Sequence, residues 1–89
     1  MALRMKEVIG MVLRKRLREL VEAEEILILP GAYDALSAKL VQAAGFRAVY
    51  LTGYGQSASK LGEPDVGLMC MSGMAGRTRD IAMAVGIPV

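Results

Sequence analysis

The chain has 89 residues, enough for one small domain or a piece of a larger one. Eleven basic against nine acidic residues leave a net charge of +2, too balanced to imply a nucleic-acid partner, and the absence of histidine excludes His-based triads, relays and zinc sites built from this chain alone. Hydrophobic residues reach 54% with a mean hydropathy of +0.40, high for so short a chain, which points to surface that another part or partner covers.

The apolar stretch at residues 8–13 is followed by Arg14, Lys15 and Arg16, the reverse of a signal peptide's order. No run approaches the roughly 18 apolar residues of a membrane span. Cys70 is a lone cysteine and cannot staple the chain internally, which fits a reducing compartment. The expectation is a cytoplasmic chain with neither nucleic acid nor membrane as partner.

Residues 5–23 carry Met5, Val8, Ile9, Val12, Leu13, Leu17, Leu20 and Val21 at helical spacing, with charges opposite, and predict an amphipathic helix. The basic cluster Arg14, Lys15, Arg16 and Arg18 reads as a solvated helix face, because no aromatic residues are interleaved with it. Ile26-Leu27-Ile28-Leu29 predicts a short buried strand ended by Pro30-Gly31. Asp34 is placed to cap the next helix, which Gly45 closes. Residues 48–52 then predict a second strand, with Tyr50 and Thr52 on one face and Val49 and Leu51 on the other. Strand, helix and strand with short connections make a βαβ unit with parallel strands.

Residues 53–67 read as a long glycine-rich loop in which residues 57–61 form one helical turn. A further helix is expected over residues 72–85, weakened by Gly73 and Gly76, and Ile87-Pro88-Val89 begins a third strand. Thr52, at a strand's carboxyl end beside Gly53, is the strongest candidate for ligand contact. Asp65 either holds a hydrated divalent cation or caps the next turn. Cys70, flanked by Met69 and Met71, reads as a packed thiol rather than a nucleophile. The spacing after Gly53-x-Gly55 does not complete a dinucleotide fingerprint.

The segments Pro30-Gly31-Ala32-Tyr33-Asp34-Ala35-Leu36-Ser37-Ala38, Ala43-Ala44-Gly45-Phe46, Tyr50-Leu51-Thr52-Gly53-Tyr54-Gly55 and Leu61-Gly62-Glu63-Pro64-Asp65-Val66-Gly67 resemble, in order and spacing, the opening of the isocitrate lyase/phosphoenolpyruvate mutase superfamily. The likeness is greatest to its 2-methylisocitrate lyase and carboxyphosphonoenolpyruvate phosphonomutase group. It implies an α/β chain forming the first third of a (β/α)8 TIM barrel. Residues 1–24 would be a helix preceding the barrel, and residues 25–89 a partial barrel cut in strand three. It further implies Mg²⁺ and a small 2-oxo or 2-hydroxy carboxylate, with a C–C or P–C bond made or broken beside a metal-stabilised enolate.

By position, the resemblance gives Tyr50, Thr52, Gly53 and Tyr54 as substrate-binding and Asp65 as holding a metal-bound water. Family members often carry serine at the place of Thr52. The family's principal metal ligands and its Lys-Lys-Cys-Gly-His gate loop fall beyond Val89, and Cys70 is not the gate cysteine. The isolated chain is therefore expected to be inactive, with no catalytic residue of its own. The rival expectation is a non-catalytic module whose sheet edge and apolar faces pair with a second copy or with a separately encoded remainder of the barrel.

Overall fold

The computed structural model describes residues 2–64 and 70–89, with side chains from residue 8 onward. The described residues form α1 (Ala2–Glu22), β1 (Gly31–Ala32), α2 (Ala35–Ala43), β2 (Tyr50–Leu51), α3 (Gly53–Gln56) running into a π-helical turn (Ser57–Leu61), and α4 (Met71–Ala84). β1 and β2 pair in parallel, Gly31 with Tyr50 and Ala32 with Leu51. The ladder extends one bond each way, from Tyr50 N–H to the Pro30 carbonyl (2.9 Å) and from Thr52 N–H to the Ala32 carbonyl (3.3 Å). On the other side of β2, Val49 N–H donates to the Pro88 carbonyl (2.9 Å), so the segment expected to begin a third strand does lie beside the second.

The first strand falls later than its sequence suggests. Residues 26–29 are not in the sheet, and Ile26 (87% exposed) and Ile28 (64%) stand in solvent. Register explains the shift. With Gly31 opposite Tyr50, residues 26–29 would face residues 45–48, where the chain is still leaving the Gly45 turn. Pro30 has no N–H to donate and enters the ladder only as an acceptor.

Both ends of α2 agree with the sequence reading. Asp34 Oδ1 accepts from Ser37 N–H (2.7 Å), while Ser37 Oγ accepts from Asp34 N–H (3.2 Å), a reciprocal capping box. Gly45 takes φ +93°, the left-handed turn that ends the helix. The Ser37 backbone bond, then its side-chain bond and Arg77, hold the Asp34 carboxyl below its ordinary range. A lowered folded-state pKa contributes stability above the unfolded value and loses it as pH falls through the folded one. Asn caps as well but carries no charge. Wild type should therefore melt above Asp34→Asn at neutral pH, and the gap should close on acidification through the carboxylate range. A gap independent of pH in thermal melts would exclude this account.

The core lies on one side of the sheet. Ala32, Ala38, Val49, Ile81 and Val85 are buried together, and α2 packs against both β1 and α4. Ile81, Val49 and Val85 are the larger apolar members and the alanines let the helices approach closely. α4 forms despite Gly73 and Gly76, because burying Ile81 outweighs two weak helix formers; Thr78 Oγ1 also donates back to the Met74 carbonyl (2.8 Å). α1 turns Leu13, Leu17 and Leu20 partly inward and leaves Met11, Val12 and Val21 largely exposed. No helix among the described residues is long and apolar enough to cross a membrane.

Candidate functional site

Parallel pairing brings the carboxyl ends of β1 and β2 to the same edge. Leu51 is partly buried toward the helices and Val49 fully so, whereas Tyr50 is 57% exposed on the opposite face. Gly31 lies opposite Tyr50, and two residues on, at the mouth, Tyr33 is 46% exposed. Thr52 packs its Cβ and Cγ2 near Gly31, where an added Cβ would stand 3.7 Å from each. One open face of the sheet thus presents two phenols and one hydroxyl, and Tyr54 (67% exposed) adds a third phenol just past the strand.

The expected glycine loop after β2 is helical instead. Thr52 is the N-cap of α3, its Oγ1 accepting from Gly55 N–H (3.1 Å) while its carbonyl accepts from Gln56 N–H (3.0 Å). Gly53 and Tyr54 supply the first amides of that helix, which by helix geometry have no carbonyl four residues back within it. Gly62, at φ +66°, ends the π turn. Of the predicted site residues, the fold brings Tyr50, Thr52, Gly53 and Tyr54 to one corner. Asp65 lies outside the described residues.

Two residues at this corner escaped the sequence reading. Tyr33 follows the same alternation from Gly31 that placed Tyr50 and Thr52, but the late register of β1 hid it. Gln56 is wholly buried, its Nε2 donating to the Tyr33 carbonyl (2.6 Å) and its Oε1 lacking a partner among the described residues. Nothing in the sequence separates a buried glutamine from an exposed one.

A more apolar groove lies elsewhere. A cavity of about 560 Å³ between α1 and α4, lined by Ile9, Leu13, Leu17, Met83, Val85 and Pro88, sits toward the amino end of β2. Its lining brings together few polar groups to orient a ligand, so the strand mouth is the better site on chemical grounds. Among the described residues no three His, Cys, Asp or Glu side chains gather as a metal site. They do not, on their own, fit a divalent cation. Cys70 corrects the packed-thiol expectation: it is exposed, 3.2 Å from Ser72 Oγ, whose hydrogen bond together with Gly73 N–H lowers its pKa.

Comparison with known proteins agrees with the α/β fold. Residues 17–89 match the family model described as phosphoenolpyruvate phosphomutase. The chain is 51% identical over 74 residues to 2,3-dimethylmalate lyase of Eubacterium barkeri, covering 83% of this chain and 26% of the relative. It is 42% identical over 77 residues to 2-methylisocitrate lyase of Halalkalibacterium halodurans, covering 86% and 25%. Among solved structures it superposes on a phosphoenolpyruvate phosphomutase from Streptomyces platensis subsp. rosaceus with a TM-score of 0.77 at 36% identity, over 84% of this chain and 26% of that one. On oxaloacetate acetylhydrolase the TM-score is 0.70 at 40% identity, over 75% and 24%. The chain spans about a quarter of the length of the relatives it matches. With the family model covering most of its residues, this chain belongs to the phosphoenolpyruvate phosphomutase family of the PEP mutase/isocitrate lyase superfamily.

Proposed function

We propose that these residues form the opening strands of a (β/α)8 barrel and carry part of a site for small 2-oxo or 2-hydroxy carboxylates, at which a C–C or P–C bond is made or broken. The observation that carries this reading is the shared corner. Two parallel strands deliver Tyr50, Thr52 and the first amides of α3 to one open face at their carboxyl ends, where barrel enzymes of this class place their chemistry. Relatives described as dimethylmalate and methylisocitrate lyases support the substrate class.

In this reading Tyr50 contacts the substrate's body, and the Gly53 and Tyr54 amides receive a carboxylate oxygen. The Thr52 oxygen already accepts from Gly55 N–H, so its own hydrogen remains free to donate to a substrate oxygen. Together these donors would stabilise negative charge developing on that oxygen. Magnesium, which the family resemblance implies, would need carboxylates beyond those described here; Asp65 is proposed to hold one of its waters.

The test is amide chemical-shift mapping of the ¹⁵N-labelled chain titrated with 2-methylisocitrate and 2,3-dimethylmalate. Shifts confined to Tyr50, Thr52, Gly53 and Tyr54 are expected; saturable shifts elsewhere, or none at millimolar ligand, would sink the assignment. By itself the 89-residue chain should turn over neither compound, and measured product would overturn that statement. A second reading, a module that associates with itself or with a separate barrel portion, is favoured by the exposure of Tyr50, Ile26 and Leu29. Sedimentation showing a monomer at all concentrations and no such partner would remove it.

A further inference from the structure

Gln56 occupies a position that local structure does not demand. A glutamine at the end of a helical turn ordinarily reaches solvent, yet this one is 0% exposed and spans 23 residues of sequence to reach the Tyr33 carbonyl. A carbonyl can only accept, so the amide must present its NH2 to Tyr33. Its Oε1 is thereby committed to the dry side, with no partner among the described residues. A side chain selected for stability alone would not leave a buried acceptor empty when an apolar residue of the same volume avoids that cost.

The bond joins the two loops that bound the proposed ligand mouth. Tyr33 leads out of β1 into the Asp34 cap, and Gln56 ends the helix whose first residues are Gly53 and Tyr54. Tyr33 also lies against the same helix from the side, since a Cβ on Gly55 would stand 3.0 Å from Tyr33 Cβ. We infer that Gln56 is a positioning residue that fixes the separation of the β1 and β2 carboxyl ends through the Tyr33 carbonyl, and so sets the width of the mouth. The functional meaning of that width rests on the carboxylate-site reading; the clamp itself does not, and is tested without ligand.

Gln56→Met keeps the volume, removes the bond and removes the unpartnered acceptor. Gln56→Glu is the sharper variant. Its introduced carboxyl, buried against a carbonyl, has its pKa raised, and only the protonated form can donate to Tyr33 as the native amide does. In ¹⁵N-labelled chains, Gln56→Met should displace the amide signals of Tyr33, Asp34, Gly53 and Gly55 and speed their hydrogen exchange about fivefold, the worth of one ordinary hydrogen bond. The thermal midpoint and the α4 signals around Ile81 should stay near wild type.

Gln56→Glu should show the displaced signals at neutral pH and return them to wild-type positions on acidification. Wild type over the same pH range removes the contributions of Asp34, Glu63, Tyr33, Tyr54 and Lys60, the ionisable groups on the described segments around Gln56. If Gln56→Met does not fold, the two pH values of the Gln56→Glu sample decide the matter alone. Unmoved Tyr33 and Gly53 signals in either variant, or no acid return in Gln56→Glu, would overturn the assignment. Loss of ligand-induced shifts in wild type would instead remove the substrate reading and leave the clamp standing.

Discussion

Ile81→Ala is expected to abolish cooperative thermal unfolding of this chain. Ile81 is the largest fully buried side chain and sits among Ala32, Ala38, Val49 and Val85, where α4 meets the sheet and α2. Removing its outer carbons leaves a cavity beside Ala32, Ala38, Val49 and Val85, short side chains that fill little of it. Such truncations cost about 2–5 kcal/mol. At about 0.05–0.15 kcal/mol per residue, a chain of this length has roughly 4–13 kcal/mol in all. The core is small, so the lower part of that range applies and the loss is most of what there is. Met83→Ala, on the same helix but 57% exposed, is the control and should change the melt little. A sharp, near-wild-type transition for Ile81→Ala by circular dichroism would mean that the core lies elsewhere.

The parts of the fold readable from sequence are those decided within a few residues. Asp34 and Gly45 bound α2 because a cap and a left-handed stop are local chemistry, and α4, expected over residues 72–85, spans Met71–Ala84. The position of β1 was not local. It depends on where β2 begins after the Gly45 turn, and a run as apolar as residues 26–29 gives no hint that its partner positions are still turning. Glycines misled for a related reason. Residues 53–56 read as loop because glycine usually marks flexibility, whereas Gly55 is helical and is there because Thr52 and Tyr33 leave no room for a Cβ.

The same division runs through the site. Alternation along β2 puts Tyr50 and Thr52 on one face; Tyr50 is exposed where Val49 is buried, and Thr52 packs by Gly31, the residue opposite Tyr50. Thr52 reads from sequence as a ligand contact, and its oxygen accepts from Gly55 N–H as a helix cap, which leaves the hydroxyl hydrogen to donate. Tyr33 and Gln56 enter only through the pairing of two distant segments. Cys70 misled in the other direction, because methionine neighbours do not bury a residue that begins a helix at the surface.

Gly55→Ala should destabilise the corner strongly, and Thr52→Ser should rescue it. A methyl at position 55 collides with Thr52 Cγ2 and stands 3.0 Å from Tyr33 Cβ. Thr52 cannot simply rotate away. Turning about its Cα–Cβ bond would carry Oγ1 out of line with Gly55 N–H and surrender the cap of α3. Either the backbone shifts, as in overpacked cores at about 1–3 kcal/mol, or the cap is lost at about 1 kcal/mol. Serine lacks the offending methyl and keeps the hydroxyl, so Thr52→Ser/Gly55→Ala should recover most of the lost stability, while Thr52→Ser alone costs little. The two substitutions are thus expected to be non-additive in a double-mutant cycle of denaturant midpoints. Additive costs would show that Tyr33 Cβ, rather than the Thr52 methyl, is what excludes a side chain at position 55. In that case the corner would be held by something other than the contact between these two residues.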